Sequence, residues 1–211
     1  MSIVLWIGDH RTEFYRALGQ HLLMCGISMA FALVLGLSLA IVIVHRRALA
    51  FSVVNGVSAL RALPSLAILA IMMPLLGIGL WPSIVALTVL ALPPILLNAY
   101  VGLRDVDADV VEAAVGLGMS RGQILRKIRL SLAAPAMFAG ARTAMVQVLA
   151  GATLAPFIGG GGLGDFIVTG ISIMDTSRML VGAVPIALLA LGSELGLSLA
   201  EKWLFAGRVG T

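Results

Sequence analysis

Residues 62–103 read "ALPSLAILAIMMPLLGIGLWPSIVALTVLALPPILLNAYVGL", forty-two positions without one Asp, Glu, Lys or Arg. At 1.5 Å per residue a single helix of that length would reach about 63 Å, roughly twice the ~30 Å hydrocarbon layer of a bilayer. The run therefore folds back on itself. The signal for the reversal is "PLLGIGLWP", Pro74 to Pro82, where Gly and Pro oppose helix and Trp81 suits a membrane interface. This stretch supplies two crossings, at about 61–79 and 82–103. Arg61 either starts the first of them or interrupts a helix that begins near Leu49.

The whole chain agrees with that reading. A mean hydropathy of +1.09 over 211 residues, 60% of them hydrophobic and 11% charged, excludes a water-soluble globule. Ala17 to Val44, closed by His45-Arg46-Arg47, gives a crossing at about 18–44. Thr143 to Gly164, extended back to Pro135, gives one at 135–157 that ends where "FIGGGGLGDF" dissolves helical propensity. Met179 to Ala200, with Glu194 its only charge, gives one at 179–200. The expected fold is an all-α integral membrane protein of about five transmembrane helices, one domain over 1–211. The mixed-charge leader "DHRTEFYR" argues against a cleaved signal peptide and places the mature amino end at or near Met1. Cys25 has no second cysteine to pair with and reads as packing.

Lys and Arg counts orient the helices, because short loops rich in them stay in the cytoplasm. With the amino end outside, nine basic residues fall inside: Arg46, Arg47, Arg104, Arg121, Arg126, Lys127, Arg129, Lys202 and Arg208. Three, Arg11, Arg16 and Arg178, fall outside, and Arg61 and Arg142 lie at or within span ends. The opposite orientation would place nine outside and is rejected.

The segment between the third and fourth crossings, 105–134, is then cytoplasmic, and it carries more than topogenic charge. Asp109 with Glu112, and Ser120 with Gln123, both have capping-box spacing, in which two side chains satisfy free amides at a helix start. Two short helices are expected, Val110 to Leu117 and Arg121 to about Leu132, hinged at Gly118. On the second, Ile124, Leu125, Ile128 and Leu132 form one face and the basic residues take the others. In the first, Ala113 and Ala114 beside Glu112 let the backbone approach another surface closely.

"EAA" at 112–114, then Gly118, Ser120, Ile128 and Leu130, resembles the cytoplasmic EAA loop of binding-protein-dependent ABC importer permeases, with Ser131 where the family usually has proline and Pro135 one turn later. The stretches "RALPSLAIL", "GIG", "LPPILLNAYVGL" and "AGARTAMVQVLAGATLAPFIGGGGLGDFIVTGI" are similar to permeases for osmoprotectants such as glycine betaine, choline and carnitine. Methionine importers share the loop and the five-span core. The resemblance implies a non-enzymatic subunit of the bacterial inner membrane, coupled through Glu112, Ala113, Ala114, Gly118, Ser120, Ile128 and Leu130 to a cytoplasmic ATPase dimer. It further implies an extracytoplasmic substrate-binding protein and a second permease, identical or related. No cofactor is expected on this chain, ATP and magnesium belonging to the ATPase, and no G-x-x-x-x-G-K-[ST] phosphate loop occurs. Nothing points to nucleic acid.

Polar groups within spans are functional candidates by default. Asn98 and Gln147 either line a path between two permeases or hydrogen-bond helices together. Arg142 either snorkels to the inner border in a structural role or contacts substrate, and Glu194 is its partner or an interface residue. Gly159, Gly160, Gly161, Gly162 and Gly164 form an outer loop, either part of a gate or the surface for the delivery protein, or else a flexible connector. His21 and His45 lack a second ligand at metal spacing. Aromatic residues are few and sit mostly at span ends, so a cation–π cage within this chain is not expected and substrate choice falls to the delivery protein. An ion-coupled carrier would rest on Glu194 alone, and an enzyme has no clustered acids or nucleophile to use.

Overall fold

The computed structural model describes residues 3–205, with side chains from Trp6 onward, and among these residues every element is helical. Arg208 of the orientation count lies outside the described residues. The helices are α1 (Ile3–Asp9), α2 (Arg11–Ile43), α3 (Arg47–Leu60), α4 (Ser65–Leu76), α5 (Leu80–Arg104), α6 (Ala108–Gly116), α7 (Arg121–Ile158), α8 (Gly164–Ser172) and α9 (Thr176–Phe205). Four of them, α2, α5, α7 and α9, are long and apolar enough to cross a bilayer. The bent pair α3 and α4 makes a fifth if it counts as one crossing.

That pair departs from the helix expected at 61–79. Its two arms, 14 and 12 residues, meet at 101° and reach only about 21 and 18 Å, each short of a ~30 Å hydrocarbon layer. Pro64 is the cause, because its ring denies Leu63 the helical conformation and it has no amide to continue the ladder. The amides of Arg61, Ala62 and Leu63 turn back to the carbonyls of Ser58, Ala59 and Leu60. Of the two expectations for Arg61 the structure gives the second: a helix that begins at Arg47, near Leu49, is interrupted at Arg61, which stands at an elbow. The second break falls at Gly77 and Gly79, whose φ of 82° and 128° end α4 and release α5. Pro82 then sits in the first turn of α5, where a missing amide leaves no bond unmade.

The long helices also outrun the spans read from hydropathy, since flanking polar residues do not stop a helix. The largest difference is α7. In place of a loop helix ending near Leu132 and a separate span from Pro135, there is one helical rod of 38 residues with Pro135 inside it. Its first part contains a π-helical segment, Ile124–Arg129, and its last, Ala152–Ile158, narrows to 3-10 geometry. The short helices α1 and α8 have no counterpart in the hydropathy reading.

The core lies where α2, α5 and α7 meet. Met24, Cys25, Met29 and Ala32 pack against Ile84, Leu87, Ala91 and Ile95 and against Ala144, Val148 and Ala152. Alanines at the contacts let backbones come close, as lipid-embedded bundles require. Ser28 donates to the Ile84 carbonyl at 3.1 Å and Thr88 to the Ser28 carbonyl at 3.4 Å, which joins α2 to α5. Cys25 is buried and turns its thiol to the Val148 carbonyl, so it packs as expected. Outside the bundle, Leu188, Leu191, Leu195 and Leu199 expose an apolar stripe along α9, the surface that a hydrocarbon solvent favours.

Candidate functional site

The segment between α5 and the buried part of α7 is built by local hydrogen bonds. Asp107, not Asp109, caps α6, accepting the Asp109 amide at 2.9 Å. The Asp109–Glu112 capping box does not form, because the helix starts two residues earlier and leaves Asp109 in its first turn. Ser120 and Gln123 do form theirs: the Gln123 amide donates to Ser120 Oγ at 3.3 Å and the Ser120 amide to Gln123 Oε1 at 2.8 Å. Between them the chain reverses at Gly118, with φ 78°. The amide of Met119 donates to the Ala114 carbonyl and that of Gly118 to the Val115 carbonyl, a Schellman closure that needs the left-handed residue supplied here by glycine.

This geometry sorts the expected site residues. Ala114 is buried; Glu112, Ala113, Gly118 and Ser120 are exposed or nearly so along one edge. Ile128 and Leu130 are half-buried. Ile124 turns inward and Leu132 outward, which departs from a single apolar face over Ile124 to Leu132, since the wider π turn shifts the phase of the residues beyond it. A cavity of about 520 Å³ separates α6 from the start of α7, bordered by His45, Val111, Arg121, Ile124 and Arg129. Leu117, at 83% exposed, projects an apolar side chain from the tip of α6. Hydropathy holds no hint of it, because a leucine in an apolar chain does not stand out.

Arg129 does more than contribute topogenic charge. Its Nη1 donates to the Leu103 carbonyl at 3.1 Å, at the last turn of α5, where unpaired carbonyls carry partial negative charge. The base of α7 is therefore clasped to the base of α5.

At the other end of α5, about 37 Å away by its 25 residues, lies the glycine loop. Gly160, Gly162 and Gly164 are buried, and the loop is closed down rather than open. The Gly79 amide donates to the Ile158 carbonyl at 2.7 Å and Gln20 Nε2 to the Gly160 carbonyl at 3.0 Å. Gly162, with φ 93°, presses on His21, where an added Cβ would lie 3.3 Å from the ring Nδ1. The loop thus joins the top of α7 to α2 and α5. Its partners are distant in sequence, so only the polar residues Gln20 and His21 inside the first span offer a signal.

Asn98 and Gln147 are not brought together. Asn98 donates to the Pro94 carbonyl of its own helix at 2.8 Å and packs where α5 crosses Gly140. Gln147 lies seven residues further along α7, at a small cavity beside Arg61 and Pro93. Arg142 joins helices: its Nε is 3.5 Å from Glu194 and its Nη1 3.3 Å from Glu201, both on α9. Among the described residues no three His, Cys, Asp or Glu gather as a metal site would require.

Comparison with known proteins places these features. Residues 32–204 match the family model of the binding-protein-dependent transport system inner membrane component. The chain is 38% identical over 200 residues to the choline transport system permease protein OpuBB of Bacillus subtilis, covering 95% of this chain and 92% of that one. It is 40% identical to the carnitine transport permease protein OpuCB of Listeria monocytogenes, over 81% of this chain and 80% of that one. The osmoprotectant import permease protein OsmW of Salmonella typhimurium is 34% identical, with 82% of each chain covered. Among solved structures, the inward-facing methionine ABC transporter MetNI has the same fold, with a TM-score of 0.82 over 94% of this chain and 96% of that one at 23% identity.

Proposed function

The chain belongs to the inner membrane components of binding-protein-dependent transport systems, and from that premise we propose that it passes osmoprotectants of the glycine betaine, carnitine and choline class into the cell. It is a multi-pass permease subunit of an ABC importer. The family works with an ATPase and a substrate-binding protein; the arrangement proposed for this chain is a cytoplasmic ATPase dimer under two permeases, with the binding protein on the outer face and the amino end outside.

The exposed edge of α6, Glu112, Ala113 and Leu117, is the surface offered to the ATPase. Ala113 leaves room for close approach, Leu117 supplies an apolar knob and Glu112 a charge that fixes register. One observation carries the reading: α7 is one continuous helix from Arg121, just after the turn at Gly118, to Ile158, where the glycine loop begins. A displacement of that turn travels along a continuous helix to the glycine loop. The Arg129 clasp carries α5 with it, and at the outer end Gln20 and Gly79 hold the loop to α2 and α5. Such a lever transmits energy only if α6 contacts the two states of the ATPase differently.

The test is reconstitution of the importer in proteoliposomes with its ATPase and binding protein. Glu112→Lys is expected to insert normally, to retain ATP hydrolysis and to lose uptake. Full uptake by that variant would remove the docking role of α6. Uptake that runs on an ion gradient without ATP would remove the ABC reading altogether.

A further inference from the structure

The elbow between α3 and α4 leaves a charge beside the middle of a span. Below it, α3 packs on the inner half of α5 through Ala50, Val54 and Val57, against Leu96 and Tyr100. Above it, α4 packs on the outer half through Ile68 and Leu69, against Ala86 and Val89. Arg61 therefore stands level with Val89 to Pro93, halfway along α5. There Pro93 and Pro94 have no amide hydrogens, so the carbonyls of Val89 and Leu90 lose their usual helical donors.

A cavity of about 200 Å³ opens at this level, lined by Arg61, Val89, Leu90, Pro93 and Gln147 among others, and its wall is more polar than apolar. Among the described residues, neither the Arg61 guanidinium nor the Gln147 amide has a hydrogen-bond or ion-pair partner. Arg61 is exposed, and a bare guanidinium at half-depth is costly against lipid, so this face looks onto water or protein. It has the place and the polarity of a path wall.

We propose that this elbow cavity is a halfway binding site for quaternary amines that carry a carboxylate. The inference rests on the solute class proposed above. Arg61 takes the carboxylate through two parallel N–H···O bonds, a geometry that the planar guanidinium favours. The carbonyl oxygens of Val89 and Leu90 and the amide oxygen of Gln147 face the trimethylammonium end. The volume lies below the roughly 300–1,000 Å³ of drug-sized pockets and suits a solute of a few heavy atoms. Choline has no carboxylate and shares the charge of Arg61, so the site discriminates against it. No aromatic side chain is needed to grip the cation, and a site of passage has to release its solute as readily as it receives it.

The experiment uses the assembled importer in proteoliposomes with ATP enclosed, and follows labelled glycine betaine, carnitine and choline separately. Arg61→Gln is expected to lower uptake of glycine betaine and carnitine by about tenfold or more, the effect of one lost charge-assisted pair, with choline uptake little changed. Hydrolysis stimulated by the loaded binding protein is retained, and Arg61→Lys recovers part of the loss. Equal loss for all three solutes together with loss of stimulated hydrolysis would mark Arg61 as structural and overturn the inference, as would unchanged glycine betaine uptake. An unaltered importer that carries choline alone overturns the inference and leaves the osmoprotectant reading standing. One that carries none of the three overturns that reading and the inference with it.

Discussion

Gly118 offers a perturbation whose size is readable from geometry. It holds φ at 78°, and the two closing bonds of α6, Met119 amide to Ala114 carbonyl at 3.1 Å and Gly118 amide to Val115 carbonyl at 2.9 Å, depend on that turn. A Cβ added at 118 would meet nothing within 4 Å. The effect of Gly118→Ala is therefore conformational alone, about 1–2 kcal/mol for an L-residue held left-handed, which opens the closure roughly 5–30 times more often. Gly116 is the control, since it too has open space but an ordinary helical φ; alanine there is expected to be neutral or to stabilise by up to about 1 kcal/mol. Asn at 118 tolerates the left-handed region and should recover most of the loss. Hydrogen exchange of the amides at 118 and 119 in the assembled importer reads the closure directly, and uptake reads its consequence. Exchange as slow in Gly118→Ala as in the unaltered protein, or acceleration of equal size in Gly116→Ala, would refute the reasoning.

Three other contacts support the lever and can be probed by substitution. Arg142→Leu leaves Glu194 and Glu201 facing each other without a cation and is expected to destabilise by about 1–3 kcal/mol, between the surface and buried limits for ion pairs; Glu194→Gln should cost less, because Arg142 keeps Glu201, and thermal unfolding in nanodiscs ranks the two. Gly162→Ala combines a φ of 93° with a Cβ crowding His21 and is expected to lower the unfolding temperature, whereas Gly196→Ala, with open space around it, should not. Arg129→Gln removes the charged bond to Leu103, worth about 1.5–3 kcal/mol; uptake should fall while hydrolysis persists, and unchanged uptake would remove the clasp from the pathway.

Much of this architecture can be read from residue order because a bilayer imposes simple constraints. Runs without charge have to be helices, and their lengths count the crossings, which is why the membrane class and the approximate number of helices emerge without coordinates. Gly118 and the Ser120–Gln123 box are legible because their signals are local. Spacing alone places the cap of α6 two residues late, because Asp105, Asp107 and Asp109 are equivalent candidates and only the register of the preceding turn selects Asp107. Pro135 looks like a helix start; inside a packed rod a proline is accommodated instead, so α7 stays whole. The elbow at Arg61 is ambiguous in sequence because a hydropathy run ends at a charge whether the helix ends there or bends. The packing of the glycine loop is legible only as two polar residues, Gln20 and His21, inside an apolar span: Gln20 and Gly160 are separated by 140 positions, and nothing local says which partner either one meets.

Coupling to an ATPase requires α6 and the head of α7 to lie on the cytoplasmic side. Ser120 is exposed at the turn between α6 and α7, and the sole native cysteine, Cys25, is buried, so Ser120→Cys gives a unique accessible thiol for a membrane-impermeant maleimide. Labelling is expected in inverted membrane vesicles and absent in intact cells. Labelling from outside intact cells would place α6 where no ATPase can reach it, and the lever would have nothing to drive it.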